Sequence, residues 1–283
     1  MPLTSTGDIV ADANRARRGV GAFNVITLEH AEAIVAGAEA TRAPVVLQIS
    51  QNCVRYHRAL EPIALGTLAV ARRAAVPVAV HLDHAESLEL VEEAVALGVP
   101  SVMFDASRLP HEENVARTRK VAARCHDHGV WIEAELGEIG GKDGVHAPGA
   151  RTDPDEAREF VAATGVDALA VAVGTSHAMV TKDAALDLDL IARLHRAVPV
   201  PLVLHGSSGV PDGQLRAAVA AGMTKVNIAT HLSATFTSAV RDHLAEHPDL
   251  VDPRKYLAAG REAMAGAVAH FLGLLAQDAG RGG

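Results

Sequence analysis

Eight short runs rich in branched residues follow one another along the chain: VGAFNV, PVVLQIS, VPVAVHLDH, VPSVMFDAS, VWIEAELG, DALAVAVGTS, VPLVLHGSS and TKVNIAT. Between them lie segments such as SLELVEEAVALGV and EENVARTRKVAARCHDHGV, whose apolar residues recur every three or four positions with charges elsewhere, the pattern of amphipathic helices. Strand followed by helix, repeated, implies parallel pairing, because a parallel neighbour can be reached only through a crossover. Eight such units with nearly continuous apolar strands predict an α/β fold, a closed (β/α)8 TIM barrel rather than an open doubly wound sheet. No G-x-G-x-x-G follows the first strand, which argues against a dinucleotide fold. The units lack the mutual identity of a solenoid and no Pro/Gly/Ser linker divides them, so residues 1–283 are read as a single domain. The irregular stretch GEIGGKDGVHAPGARTDPDEA after the fifth strand is expected to be a long, mobile βα loop of the kind that closes over active sites.

Composition narrows the function. With 283 residues and 49% hydrophobic content the chain can bury a large core. Its net charge of -8 and its 3% aromatic content disfavour a nucleic-acid partner, which would call for cations and stacking platforms. The two cysteines, Cys53 and Cys125, fit free thiols in a reducing compartment. The N-terminal MPLTSTGDIVADANRARRG lacks the apolar stretch of a signal peptide, and no later run reaches about 18 uninterrupted apolar residues. The expectation is a soluble, cytoplasmic protein without membrane contact. Of the 15 histidines, His126, His128, His243 and His247 read as surface residues of helices.

Barrel enzymes work at the carboxyl ends of their strands, and here the polar residues gather at those ends. Strand 3 finishes in Asp83 and His84, strand 4 in Asp105, strand 5 in Glu133 and Glu135, strand 6 in His177 and strand 7 in His205. Any one of these histidines alone would be read as a hydrogen-bonded rim residue. Three at equivalent ends, His84, His177 and His205, suit a divalent metal that keeps one position open for substrate, the arrangement of catalytic zinc. Asp83, beside a ligand, is placed to exchange a proton with a substrate oxygen or to orient a histidine. Strict alternation sets His81 with Asp83 and opposite His84, so His81 is at most a support for the ligands. After strands 7 and 8, HGSSG and NIAT leave backbone N–H groups open to an anion, at the recurrent phosphate position of this fold. Gly206, Ser207, Ser208, Asn227, Ala229 and Thr230 are the candidates.

With these residues in view, the sequence resembles the class II, metal-dependent fructose- and tagatose-bisphosphate aldolases. HLDH, SVMFDAS, AELGEIGG, VGTSH, PLVLHGSSG and KVNIAT occur in family order and spacing, and the similarity runs from AFNV to DPRKYL. The resemblance implies reversible aldol cleavage of a phosphorylated ketose to dihydroxyacetone phosphate and an aldehyde. It implies Zn2+ on His84, His177 and His205, with Asp105 and Glu135 as carboxylates near an alternative metal position. Asp83 becomes the acid/base, Asn24 and Ser50 become substrate contacts, and HGSSG with NIAT becomes the dihydroxyacetone-phosphate site. A monovalent cation, Na+ or K+, and a homodimer or homotetramer also belong to the implied picture.

Three positions depart from the family pattern. Asp143 in GGKDG stands where the family has a loop glutamate that handles the carbon-bound proton, shortening its reach by about 1.5 Å. Ala178 follows His177 where glycine is usual, adding a Cβ near the phosphate or monovalent ion. Ala229 replaces a polar residue of fructose-type members and looks closer to the tagatose-type pattern. Lys182, Arg254 and Arg261 are candidates for a second phosphate, Arg261 also for reaching a neighbouring subunit; each reads equally well as part of a solvated face. Two other functions compete: a metal-dependent barrel hydrolase, which would have no use for the phosphate loops, and a non-catalytic aldolase-like partner subunit.

Overall fold

The computed structural model describes residues 3–136, 151–175 and 185–276. Among them the strands β1 (Val20–Asn24), β2 (Val45–Ser50), β3 (Val78–Ala85), β4 (Ser101–Phe104), β5 (Trp131–Glu135), β6 (Ala168–Ala170), β7 (Leu202–Leu204) and β8 (Met223–Ile228) form one closed barrel in sequence order. Every neighbouring pair is parallel, and β8 closes on β1 through Ala22↔Asn227. The predicted (β/α)8 TIM barrel is therefore the observed fold.

Side-chain alternation sorts the strands into two faces. Phe23, Val45, Leu47, Val78 and Val80 point outward into the main apolar core shared with the surrounding helices. The alternate residues turn to the axis: Ala22, Val46 and Ala79 low in the barrel, then Asn24, Gln48 and His81, then Ser50 and Asp83. Ile9 and Ala13 of α1 (Thr6–Arg15) close the lower end against Val20, Ala22, Val46 and Ala79. Thr6 Oγ1 lies 2.6 Å from Ser101 Oγ inside the barrel.

Among the described residues the helices after α1 are α2 (Leu28–Thr41), α3 (Gln51–His57), α4 (Glu61–Arg73), α5 (Leu88–Ala96), α6 (His111–His126), α7 (Pro154–Thr164), α8 (Leu188–Ala197), α9 (Asp212–Ala221), α10 (Thr230–Glu246) and α11 (Pro253–Leu275), and the two amphipathic segments form α5 and α6. α5 (Leu88–Ala96) is capped by Ser87, whose hydroxyl accepts from Leu90 N–H. α6 (His111–His126) buries Asn114, Thr118, Val121, Ala122 and Cys125, one stripe at helical spacing. The end of the long stretch after β5 differs from the expectation of a loop. PDEA begins α7 (Pro154–Thr164), because Asp153 accepts from the N–H groups of Asp155 and Glu156 and Pro154 occupies the first turn, where no backbone N–H is needed. Both cysteines are buried, free thiols. His126 and His243 lie on helices, whereas His128 and His247 fall just past helix ends. Among the described residues no helix is long and apolar enough to cross a membrane.

Candidate active site

The strand ends surround a cavity of about 300 Å³. Asn24, Ser50, Asp83, His84 and Asp105 line one side, and Gly206, Ser207, Ser208, Asn227, Ala229 and Thr230 the other. His177, Ala178, Lys182 and Asp143 lie outside the described residues.

HLDH reaches this cavity through a break in its strand. Alternation would send His84 outward, away from Asp83. Instead the β3–β4 register slips between Leu82 and Ala85, so that three steps on β3 match two on β4, and His84 takes a left-handed φ of 53°. Such a one-residue bulge re-aims a side chain at the cost of an uncommon backbone conformation. Asp83 arrives by alternation and His84 by the bulge.

The two strand-end histidines meet there. The rings of His84 and His205 are 4.9 Å apart at 69°. Ligand atoms of Asp83, His84 and His205 all lie within 4.8 Å of one another, as do those of His84, Asp105 and Glu135. His84 Nδ1 donates to Asp105 Oδ2 at 2.7 Å, which sets the tautomer and leaves Nε2 as the nitrogen with a lone pair. Asp105 is itself held, Oδ1 accepting from the hydroxyl of Ser107 at 2.6 Å and from its N–H. His205 Nε2 donates to Glu133 Oε1 at 3.0 Å, and its Nδ1 lies 3.2 Å from Glu135 Oε2.

Burial would lower the pKa of His205, but the hydrogen bonds to Glu133 and Glu135 override it and push the group up to about 9. Asp83 is also buried, which raises its pKa, yet the charges of His84, Lys225 and His205 prevail and hold it below its ordinary value. Its Oδ1 is buried with no hydrogen-bond partner among the described residues. Two imidazoles, a buried carboxylate oxygen with no protein donor, and carboxylates behind them form a donor set that fits a divalent metal such as zinc.

His81 does not reach the cavity. It is buried below the rim, Nδ1 2.9 Å from Ser101 Oγ and Nε2 3.9 Å from Glu133 Oε2. Burial, then the charge of Lys225, bring it down to about 3, so it stays neutral.

Across the cavity, Gly206 takes a left-handed φ of 65° and leads into the 3-10 turn Ser207–Gly209. The hydroxyl of Ser207 donates to the carbonyl of Asn227. Ser208 Oγ accepts from the N–H groups of Ala229 (3.4 Å) and His231 (3.3 Å) at the start of α10 (Thr230–Glu246). The first turn of a long helix and a serine turn thus face the same space, the geometry in which backbone N–H groups receive an anion.

Arg254, 89% exposed, pairs with Asp252, and Arg261 pairs with Glu32; neither is among the residues lining the cavity. Arg55 and Arg108 line it instead, Arg55 2.7 Å from Glu86. Gln48, which donates to Asn24 Oδ1 at 2.6 Å, and Lys225 join the site without having been expected there. A signal existed for both: each is a polar residue inside an apolar strand, on the axis-facing alternation of VVLQIS and TKVNI.

A family model described as fructose-bisphosphate aldolase class-II matches residues 4–280. A probable fructose-bisphosphate aldolase of Bacillus subtilis (strain 168) is 40% identical over 268 residues, which span 93% of this chain and 94% of that one. Among solved structures, the YdjI aldolase from Escherichia coli K12 superimposes with a TM-score of 0.87 at 31% identity, covering 98% of both chains. A putative fructose-1,6-biphosphate aldolase from Coccidioides immitis gives 0.86 at 28% identity, covering 95% of each.

Proposed function

The chain belongs to the class II fructose-bisphosphate aldolase family, and from that premise we propose that it is a zinc-dependent aldehyde-lyase acting on a ketose 1,6-bisphosphate of fructose or tagatose type. The products are dihydroxyacetone phosphate and an aldehyde such as glyceraldehyde 3-phosphate. One observation carries this reading: Asp83 and His84, whose ligand atoms lie within 4.8 Å of those of the buried His205, line the same cavity as Ser208, Ala229 and Thr230 at the start of α10.

His84 and His205, with His177 as the third imidazole, would hold the metal, which when bound supplies Lewis acidity to a ketone. Gly206, Ser207, Ser208, Ala229 and Thr230 cradle the phosphate of the ketone half and fix its carbonyl toward the imidazoles, a phosphate oxygen replacing Ser208 Oγ as the acceptor of the Ala229 N–H. Asn24, Ser50 and Asn227 orient the hydroxyls between. Asp83, kept ionised, takes the proton from the hydroxyl that becomes the aldehyde oxygen and returns it in the condensation direction. Asp143 is our candidate for the carbon-bound proton. Asp105 steadies His84, and with Glu135 it supplies an alternative metal position.

The test is cleavage of fructose and tagatose 1,6-bisphosphates, side by side, by chelator-stripped and zinc-reloaded protein. Activity restored by zinc is expected. Equal rates without metal, or hydrolysis of neutral amides and lactones in place of aldol cleavage, would overturn the proposal. The non-catalytic alternative is met by exchange of the C3 proton of dihydroxyacetone phosphate with deuterated water, which an active enzyme should catalyse.

A further inference from the structure

Below the cavity floor the barrel holds a charged group that the reaction outlined above does not use. Lys225 and Glu133 are both 0% exposed, and their register neighbours on the axis are apolar: Val20 and Val203 beside Lys225, and Ala168 beside Glu133. Lys225 Nζ donates to Glu133 Oε2 at 2.8 Å and to Asn227 Oδ1 at 2.9 Å. The other oxygen of Glu133 accepts from His205 Nε2 at 3.0 Å. As a stabilising device this is a poor choice, since desolvating both ions costs about what their attraction returns and a well-packed apolar pair would do as well. A buried ion pair in a barrel centre usually filled by branched apolar residues therefore calls for a different role.

We propose that Lys225 is a positioning residue that sets two groups of the cavity at once: through Glu133 it fixes which nitrogen His205 presents, and directly it fixes which end Asn227 presents. Glu133, held as an anion by the ammonium, occupies Nε2, so Nδ1, which lies 3.2 Å from Glu135 Oε2, is the nitrogen His205 would give to a metal in exchange for that contact. The ammonium occupies the carbonyl end of Asn227, so its NH2 end is turned to the substrate as a donor. Carboxylates behind metal-bound histidines orient the ring and raise its basicity. Here one cation anchors that carboxylate and the substrate amide together, so a metal ligand and a substrate contact share one reference point. The inference rests on the aldolase reading of the same cavity, but its test does not need turnover.

Zinc affinity is measured by competition with a chromophoric chelator, without substrate, for the wild type, Lys225→Met, Glu133→Gln and the double variant. If Lys225 acts through Glu133, Lys225→Met weakens zinc binding by about 10–100-fold. In the Glu133→Gln background the same change should then add less than about threefold, the mark of residues coupled in one network. The visible spectrum of the cobalt-substituted protein should also change in Lys225→Met, reporting altered histidine ligation that a general loss of stability would not produce. Unchanged zinc affinity in Lys225→Met overturns the proposal, as do effects that multiply independently in the double variant. Should Lys225→Met fail to fold, the double variant, whose buried pair is neutral, is compared with Glu133→Gln alone, and the same threefold criterion decides. A wild type that binds zinc yet cleaves no ketose bisphosphate leaves this inference standing while removing the aldolase reading; a wild type that binds no zinc removes both.

Discussion

His84 shows how much depends on one backbone angle. Its left-handed φ converts a side chain destined for the outer helices into a neighbour of Asp83, and Nδ1 is then engaged by the hydrogen bond to Asp105. Asp83 is expected to be indispensable in a narrower way: Asp83→Asn keeps the shape but cannot take a proton, so cleavage should fall by about 10²–10⁴-fold while dihydroxyacetone phosphate still binds. Turnover and binding of that phosphate ester, measured on the same preparation, check this. His205 makes a pH prediction for metal-free protein. Its folded pKa of about 9 lies above the ordinary 6.5, so its contribution to stability is complete below 6.5 and lost as pH rises through 9. His81, brought down to about 3, acts in the opposite sense: its contribution is complete above 6.5 and lost as pH falls toward 3. Metal-stripped protein should therefore have its highest melting temperature near pH 6.5 and decline on the alkaline side; a flat profile between 6.5 and 9 would contradict the assignment for His205.

Among the elements, the start of α10 is held by a residue from outside the helix. Ala229 precedes the helix without a side-chain cap of its own, and Ser208 supplies the missing acceptor from the neighbouring turn. Ser208→Ala should cost about 1 kcal/mol, the usual loss for a helix cap, lowering the melting temperature by about 2–4 °C. It should also raise KM for the ketose phosphate with less effect on kcat, because the hydroxyl belongs to binding. A normal KM would separate Ser208 from the anion site. The place of HGSSG and NIAT on one cavity was legible in the sequence, since the loops after strands 7 and 8 lie side by side in a barrel of this order. The donor pattern was not, because Ser208 meets His231 only after β7 and β8 pair.

For the whole molecule, the barrel separates stability from chemistry along its axis. α1 seals the lower end with Ile9 and Ala13, while Asn24, Ser50, Asp83, His84, Asp105, Ser208, Asn227 and Thr230 line the cavity at the other end. Ile9→Ala should lower the unfolding free energy by about 3 kcal/mol, typical for a buried aliphatic truncation, and leave zinc affinity within about twofold. Urea unfolding and chelator competition on the same protein test both halves. Eight strands in order, parallel pairing and the strand-end polar residues could be read from local periodicity, because alternation and helical spacing are written in near neighbours along the chain. Which nitrogen of His205 is offered, which end of Asn227 faces substrate, and why His84 and Asp83 share one side could not. Those depend on Glu133, 72 positions before His205, on Lys225, 92 positions beyond Glu133, and on a register slip between β3 and β4. Partners so distant meet only when the barrel closes, and it is their charge in a buried interior that settles the orientation of groups whose identity the sequence had already supplied.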